Sequence, residues 1–502
     1  MDKLGSMADL PHALYTAEQT RRLDNIASQH YDLPASVLMT RAGTAALTLL
    51  KNKWPQTKHI VVICGVGNNG GDGFELARQA LSHAIQPMVF QCGDTQLLSA
   101  EALAARDNCL AAGVKIQPFQ NTIPDCDLIV DALMGTGLNR PVEGALAQAI
   151  DTINTASMHT PVLSLDIPSG LHADTGQVLG RAVQATQTLS YIGLNVGLFT
   201  GEAADHCGPI HFDGLGVPAA VYEQVPTTAN RLSLHQYQSH LAPRKRTAHK
   251  GLFGQLLVVG GHHGMAGAVR MAAEAGARVG AGLTSVATRA THAPLIAMMR
   301  PEIMSHAVEA AETITPLLSA ANAVTLGPGL GQTEWSQALY KQTLASGLPM
   351  VVDADALNLL SLAPEYRDHW ILTPHPGEAA RLLACSTQDI QADRLAAAMQ
   401  LQQRYGGVVV LKGSGTVVCD GTTPFYLSDL GNPGMASGGM GDVLAGIIGG
   451  LLAQQFSLLD AACLGITLHG MAADKAAELD GERGLLAMDV LTHLRHFANL
   501  KH

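Results

Sequence analysis

Residues 431–452 read GNPGMASGGMGDVLAGIIGGLL, a glycine-rich half followed by an apolar half, with one acid, Asp442, between them. The run GMASGGMG has almost no side chains and cannot fill a core. It exposes backbone N–H groups and lets another molecule approach them closely. The apolar run Val443 to Leu452 predicts a buried helix, hydrophobic nearly all round. A glycine loop feeding a helix N-terminus gathers free amides and a positive dipole end at one point, which suits an anion. The dipole contributes only ~0.3–1 kcal/mol, whereas a placed general base is worth roughly 10²–10⁴ in rate. An Asp in a first helical turn is also ordinary capping chemistry. The glycines around it exceed what a cap requires, so Asp442 is read as the base of a ligand loop.

Working back through the second half, short buried strands alternate with helical stretches. Strands are predicted at Gly254 to Val259, Leu283 to Ala287, Ala323 to Leu326, Met350 to Val352, Trp370 to Leu372 and Val408 to Leu411, with a helix at Met265 to Val279. This is an α/β sheet with helices on both faces. In such a sheet the loops past the strand C-termini converge on the ligand crevice. Those loops are Gly327-Pro328-Gly329-Leu330-Gly331, Asp353-Ala354-Asp355, Thr373 to Glu378, and Lys412-Gly413-Ser414-Gly415-Thr416. His375 is held between two prolines. Lys412, Thr416 and the intervening amides suit a nucleotide phosphate. His262 and His263 receive no role. Arg244 to Gly251 is a basic loop that serves equally as a solvated turn or a phosphate attractor.

The first half opens with helices at Thr16 to Gln29, behind a Thr cap, and Ala35 to Lys51. A strand at Ile60 to Cys64, a turn at Gly65 to Gly73 and a helix at Phe74 to Leu81 then begin a βαβ unit. Gly65, Gly67 and Gly70 fit G-x-G-x-x-G, with Asp94 beyond the strand Pro87 to Gln91, as in a dinucleotide fingerprint. Asn68, Asn69 and Asp72 crowd that turn with polar side chains, which points instead to a polar substrate or an ion. Strands at Leu128 to Leu133 and Val162 to Leu165 lead into Gly135-Thr136-Gly137-Leu138-Asn139-Arg140-Pro141 and Asp166-Ile167-Pro168-Ser169-Gly170. Three strand-end loops thus each bring a carboxylate, Asp72, Asp131 and Asp166, and one shared site is expected. Oxygen ligands from Asn69, Asp131 and Ser169 suit an alkali or Mg²⁺-type cation. Further strands are expected at Thr186 to Tyr191 and Pro209 to Phe212.

The 502 residues are long enough for more than one domain. Residues 1–11 read as a tag or disordered lead, 12–226 as the first domain and 231–502 as the second, across a polar join at Val225 to Asn230. A formal charge of −11 and no long basic block disfavour nucleic acid. Eight singly scattered cysteines suggest neither a zinc site nor a disulfide framework, and so a reducing, cytoplasmic setting. The longest apolar run falls short of a membrane span, so no membrane partner is expected. A homo-oligomer is expected.

GVGNNGGDG, DALMGTGLNRP and LDIPSG, in that order, resemble the NAD(P)H-hydrate epimerases, which interconvert the R and S hydrates of reduced nicotinamide cofactors. The resemblance implies a Rossmann-like parallel sheet, substrate contacts at Asn68, Asn69, Gly70, Gly71, Asp72, Gly135 to Pro141 and Asp166, and a potassium ion at Asn69, Asp131 and Ser169. Asp166 is the expected acid/base residue. KGLFGQLLVVGG, GAVRMAAEAGARVGAGL, LGPGLG, DADALN, TPHPGEAARLL, KGSGT and NPGMASGGMGDVLAGIIGGLLAQ resemble the ribokinase-like ADP/ATP-dependent NAD(P)H-hydrate dehydratases. That resemblance implies hydrate binding at Ala268, Gly329, His375 and Asp442. It implies nucleotide binding at Lys412 to Thr416 and at Asn432, Gly434, Gly438, Gly439 and Gly441, with Mg²⁺ and with ADP as co-substrate. The alternative is a ribokinase-type kinase of a vitamin precursor with an accessory N-terminal binding module.

Overall fold

The computed structural model describes residues 10–499, which divide into two compact units between Asn230 and Arg231. Leu10 is buried; residues 1–9 of the expected lead lie outside the described residues.

The N-terminal unit is built on a seven-stranded sheet. Its order is Lys115–Pro118, Gln86–Gln91, His59–Cys64, Leu128–Ala132, Val162–Leu165, Gln187–Tyr191, Ile210–Asp213. Every neighbouring pair is parallel. The chain leaves His59–Cys64 toward one edge and later returns on its other side at Leu128–Ala132, so the strand order reverses between these two strands. Crevices open at such switch points. Helix Ala17–His30 starts behind a capping box in which Thr16 pairs with Gln19.

One sequence expectation fails here. The stretch expected as a turn to Gly73 is helical from Asn68, in helix Asn68–Ser82. Its glycines serve packing. A Cβ at Gly73 would lie 2.6 Å from the Ala132 Cβ and 2.8 Å from the Cys64 Sγ. Only glycine lets this helix lie directly on the two central strands.

The C-terminal unit carries a run of nine strands. The order is Met304–Ala307, Leu283–Thr288, Gln255–Val259, Ala323–Leu326, Met350–Val352, Trp370–Leu372, Val408–Leu411, Thr416–Cys419, Phe425–Ser428. The first seven are parallel and the last two add antiparallel. The order reverses on the two sides of Gln255–Val259. Helix Met440–Ala453 is buried along nearly its whole length, against helix Ala266–Val279. A Cβ at Gly446 would lie 2.7 Å from the Ala272 Cα and closer still to its carbonyl oxygen, and one at Gly450 would lie 2.8 Å from the Gly276 Cα. The glycines of the apolar half thus permit close helix packing, a different task from those of the loop before it. Among the described residues no single helix is long and apolar enough to cross a membrane.

Candidate active sites in the two units

In the N-terminal unit a cavity of about 1250 Å³ opens beside the strand switch point. Gly67 to Asn69, Asp72, Gly135 to Pro141 and Asp166 all line it. Gly70 and Gly71 do not: a Cβ at Gly71 would meet the Met39 side chain, and Gly70 stands against the Gly65 backbone. Both glycines therefore serve close packing at this helix start. Asp94 of the supposed fingerprint instead caps a short 3₁₀ turn through the Gln96 amide.

Asp166 follows strand Val162–Leu165 with φ 66°, a left-handed conformation that costs a non-glycine residue of order 1 kcal/mol or more and collects at functional sites. Its Oδ2 accepts from the Thr136 amide at 3.1 Å. Burial raises its pKa to about 6, against the pull of that hydrogen bond. Gly135 is needed beside it, because a Cβ there would lie 2.5 Å from Asp166 Oδ2. Asp72 is pushed well above the carboxylate range by burial, then by Asp166 and Asp24.

The three residues expected to hold a cation are arranged unequally. Asp131 is fully buried behind the cavity and accepts from Ser169 Oγ (2.6 Å), Ser164 Oγ (2.8 Å), Ser169 N (2.9 Å) and Leu133 N (3.2 Å). Ser169 Oγ also accepts from the Met134 amide at 2.9 Å. Asp131 and Ser169 therefore hold each other, and all four donors to the carboxylate are neutral. Asn69 Nδ2 donates to Leu165 O at 3.2 Å, while its buried Oδ1 has no partner. An unpaired hard oxygen on Asn69 and a buried carboxylate at Asp131 whose hydrogen-bond donors are all neutral are donors of the kind a hard cation takes.

The C-terminal unit gathers its acids at the strand ends. Asp353 accepts from Thr373 Oγ1 at 2.7 Å and from Lys412 Nζ at 2.8 Å. Lys412 also faces Glu378 at 3.9 Å. Burial works against its charge, but Asp353, Glu378 and Asp442 together raise its pKa above the usual lysine value. The ammonium expected to clamp phosphate is thus already engaged by carboxylates. Burial raises Glu378 to about 7, and burial followed by Asp353 raises Asp442 to about 7. Asp442 lies in the first turn of its helix, and a Cβ on neighbouring Gly441 would be 3.4 Å from Lys412 Nζ. His375 caps helix Pro376–Leu383, its Nδ1 accepting from Gly377 N at 3.0 Å, and burial lowers its pKa. Gly329 sits against Ala268, with 3.1 Å between the two Cβ positions, so the expected hydrate contacts of helix and loop adjoin. Ala354, at φ 49°, strains the loop between Asp353 and Asp355.

The expected nucleotide loops separate into open and structural parts. Gly438 has open space around it, and Ser414 is exposed. Asn432 is occupied as a pin: Nδ2 donates to Asp474 at 2.9 Å and Oδ1 accepts from Gly434 N at 3.1 Å. Gly434 packs on the Glu482 backbone, and Gly439 turns at φ 92° against Met271. Thr416 Oγ1 donates to Gly413 O at 3.0 Å. Beneath this loop lies Arg394, 1 % exposed, which donates to the carbonyls of Leu411, Lys412 and Gly415 at 3.1, 3.2 and 3.3 Å. No sequence motif includes this residue. Arg244 is likewise structural, donating to Gly280 O at 2.6 Å and stacking over Phe253.

The family model described as NAD(P)H-hydrate dehydratase matches residues 256–495, and the one described as YjeF-related protein N-terminus matches 35–197. The bifunctional NAD(P)H-hydrate repair enzyme of Coxiella burnetii is 47 % identical over 487 residues, covering 97 % of this chain and 99 % of its own. The chain belongs to the bifunctional NAD(P)H-hydrate repair enzymes. The Escherichia coli repair enzyme is 45 % identical over 98 % of this chain and 95 % of its own. A ribokinase-like superfamily protein from Enterococcus faecalis superposes with TM-score 0.50 at 29 % identity, covering 54 % of this chain and 95 % of its own. Both halves of a repair enzyme are therefore present in one chain, and each half has its polar groups at the C-terminal ends of its own parallel strands.

Proposed function

We propose that the N-terminal cavity interconverts the R and S hydrates of NAD(P)H and that the C-terminal cleft dehydrates the S form with ADP, releasing AMP and phosphate. The observation that carries the second half is the Asp442 carboxylate. It is half-buried beside the Lys412–Asp353 pair, with a pKa of about 7, where a general base works best at neutral pH.

In this reading Asp442 takes the proton of the C6 hydroxyl as that oxygen attacks the β-phosphorus of ADP. AMP leaves, the C6–O bond then breaks with phosphate as leaving group, and loss of the C5 proton restores the ring double bond. The amides around Gly438 and of the Gly413 to Gly415 loop cradle the phosphates. Arg394 fixes that loop by holding its carbonyls, and Lys412 balances the local carboxylates. Among the described residues no group of three His, Cys, Asp or Glu side chains is placed to hold a metal. A Mg²⁺ would therefore be held by one or two carboxylates, phosphate and water, and when bound it neutralises charge on the transferred phosphoryl group. In the N-terminal unit Asn69, Asp131 and Ser169 would hold potassium, which when bound would help fix the substrate's position.

A homo-oligomer belongs to the same reading. Strand Met304–Ala307 is the outer strand of its sheet, and Leu295, Met298 and Met299 are exposed on the adjoining helix. So does a reducing cytoplasm, since all eight cysteines are free. The test is incubation of S-hydrate with ADP. Recovery of reduced nicotinamide with equimolar AMP supports the reading. No recovery, with phosphate instead transferred to a vitamin-precursor alcohol, would establish the kinase alternative.

A further inference from the structure

Asp24 belongs to none of the strand-end motifs. It sits on helix Ala17–His30 and lines the same cavity as Asp72 and Asp166. Its Oδ1 is buried with no hydrogen-bond partner. The other orphaned oxygen lining that cavity, Asn69 Oδ1, belongs to a residue only 6 % exposed. Asp24 and Asp166 thus reach one cavity from different walls, a helix and a strand-end loop.

Resting on the epimerase reading, we propose that Asp24 is the second acid/base group of epimerisation and works in tandem with Asp166. Inversion at C6 requires the hydroxyl to leave one face and return to the other. C6 carries both the hydroxyl and the ring nitrogen N1, whose lone pair can expel the oxygen. The C6–O bond breaks, the departing hydroxyl takes a proton from one carboxylic acid and leaves as water, and C6=N1 forms as an iminium. Water on the opposite face then forms the new C6–O bond and gives its extra proton to the other carboxylate. One acid ends deprotonated and the other protonated, and inversion in the reverse sense restores both. A single carboxylate cannot serve both faces of a ring held in place, so two are needed.

The surroundings of Asp24 match this demand. It faces Asp166 from the strand end, Asp72 from helix Asn68–Ser82 and Tyr222 from helix Ala219–Tyr222, with Arg21 on its own helix also lining the cavity. Burial, then Asp166, raises its pKa to about 7, next to about 6 for Asp166. Two neighbouring acids that titrate close to neutrality can be found one protonated and one not.

The test measures R-to-S interconversion by the full chain, with potassium present, as a function of pH and in isotopically labelled water. The wild type should give a bell-shaped profile and take up one solvent oxygen per inversion. Asp24→Asn should slow interconversion by about 10²–10⁴-fold and reduce the bell to a single limb, and Asp24→Glu should recover part of the rate. Asp24→Asn with wild-type rate would overturn the assignment. So would a slow variant that keeps the full bell and is not helped by Glu, because that is what a merely structural residue gives. Inversion without oxygen uptake would overturn the path. A wild-type chain that exchanges no R for S would sink the epimerase reading itself, whereas exchange that survives Asp24→Asn would sink only Asp24.

Discussion

Replacing Asp442 by Asn should stop dehydration and, at the same time, stabilise the C-terminal unit in a pH-dependent way. The second effect follows from the carboxyl's raised pKa. It titrates near 3.8 when unfolded and at about 7 when folded. The folded state therefore holds its proton to higher pH than the unfolded one. Below the unfolded value the group costs nothing. As pH rises toward about 7 its ionisation increasingly favours unfolding, and above the folded value the cost is constant. A displacement of about three pH units corresponds to roughly 4 kcal/mol as a ceiling, a net figure in which Lys412 already offsets part of the cost of burial and of Asp353. Asn keeps the shape without the charge. Thermal and urea unfolding of wild type and variant should therefore coincide near pH 4 and diverge on the way to pH 7, the variant being more stable by a few kcal/mol. Dehydration should fall by about 10²–10⁴-fold, and the wild-type rate should rise with pH through about 7 as the base is unmasked. A variant that still dehydrates, or whose stability tracks wild type at all pH values, would refute the reasoning.

Ser169→Ala removes the 2.6 Å donor to the buried Asp131 and the acceptor of the Met134 amide. It should cost about 2–3 kcal/mol, read in urea unfolding, and should raise the potassium concentration needed for half-maximal epimerisation. Gly446→Ala places a methyl group 2.7 Å from the Ala272 Cα and against its carbonyl oxygen. It should destabilise the C-terminal unit by about 1–3 kcal/mol or more, lowering its melting temperature at every pH alike, unlike Asp442→Asn.

The central strands were legible because parallel strands covered on both faces read as short apolar runs. Val162–Leu165, Ala323–Leu326 and Val408–Leu411 fall where the pattern put them. The outer strands Lys115–Pro118 and Met304–Ala307 are partly exposed and carry no such run, so the pattern passed over them. Glycine misled at Asn68: in sequence it reads as a turn, whereas Gly73 is there so that a helix can touch a strand. The strand-end motifs located the cavity walls, because each motif carries its own polar residues. What they could not supply was convergence from elsewhere in the chain. Asp24 is one acid on an amphipathic helix, and Arg394 is one charge on another. Lys412 reads as a free phosphate clamp until Asp353 and Glu378, arriving from other loops, are seen to occupy it.

The most direct measurement supplies pure R-hydrate and ADP to wild type and to Asp166→Asn, following reduced nicotinamide and AMP. The account predicts full recovery by wild type, and by the variant full-speed recovery from S-hydrate but stalling at the uncatalysed rate on R-hydrate. A variant that consumes R-hydrate as fast as wild type, or one that fails equally on both, would contradict the assignment of the two reactions to two separate sets of carboxylates.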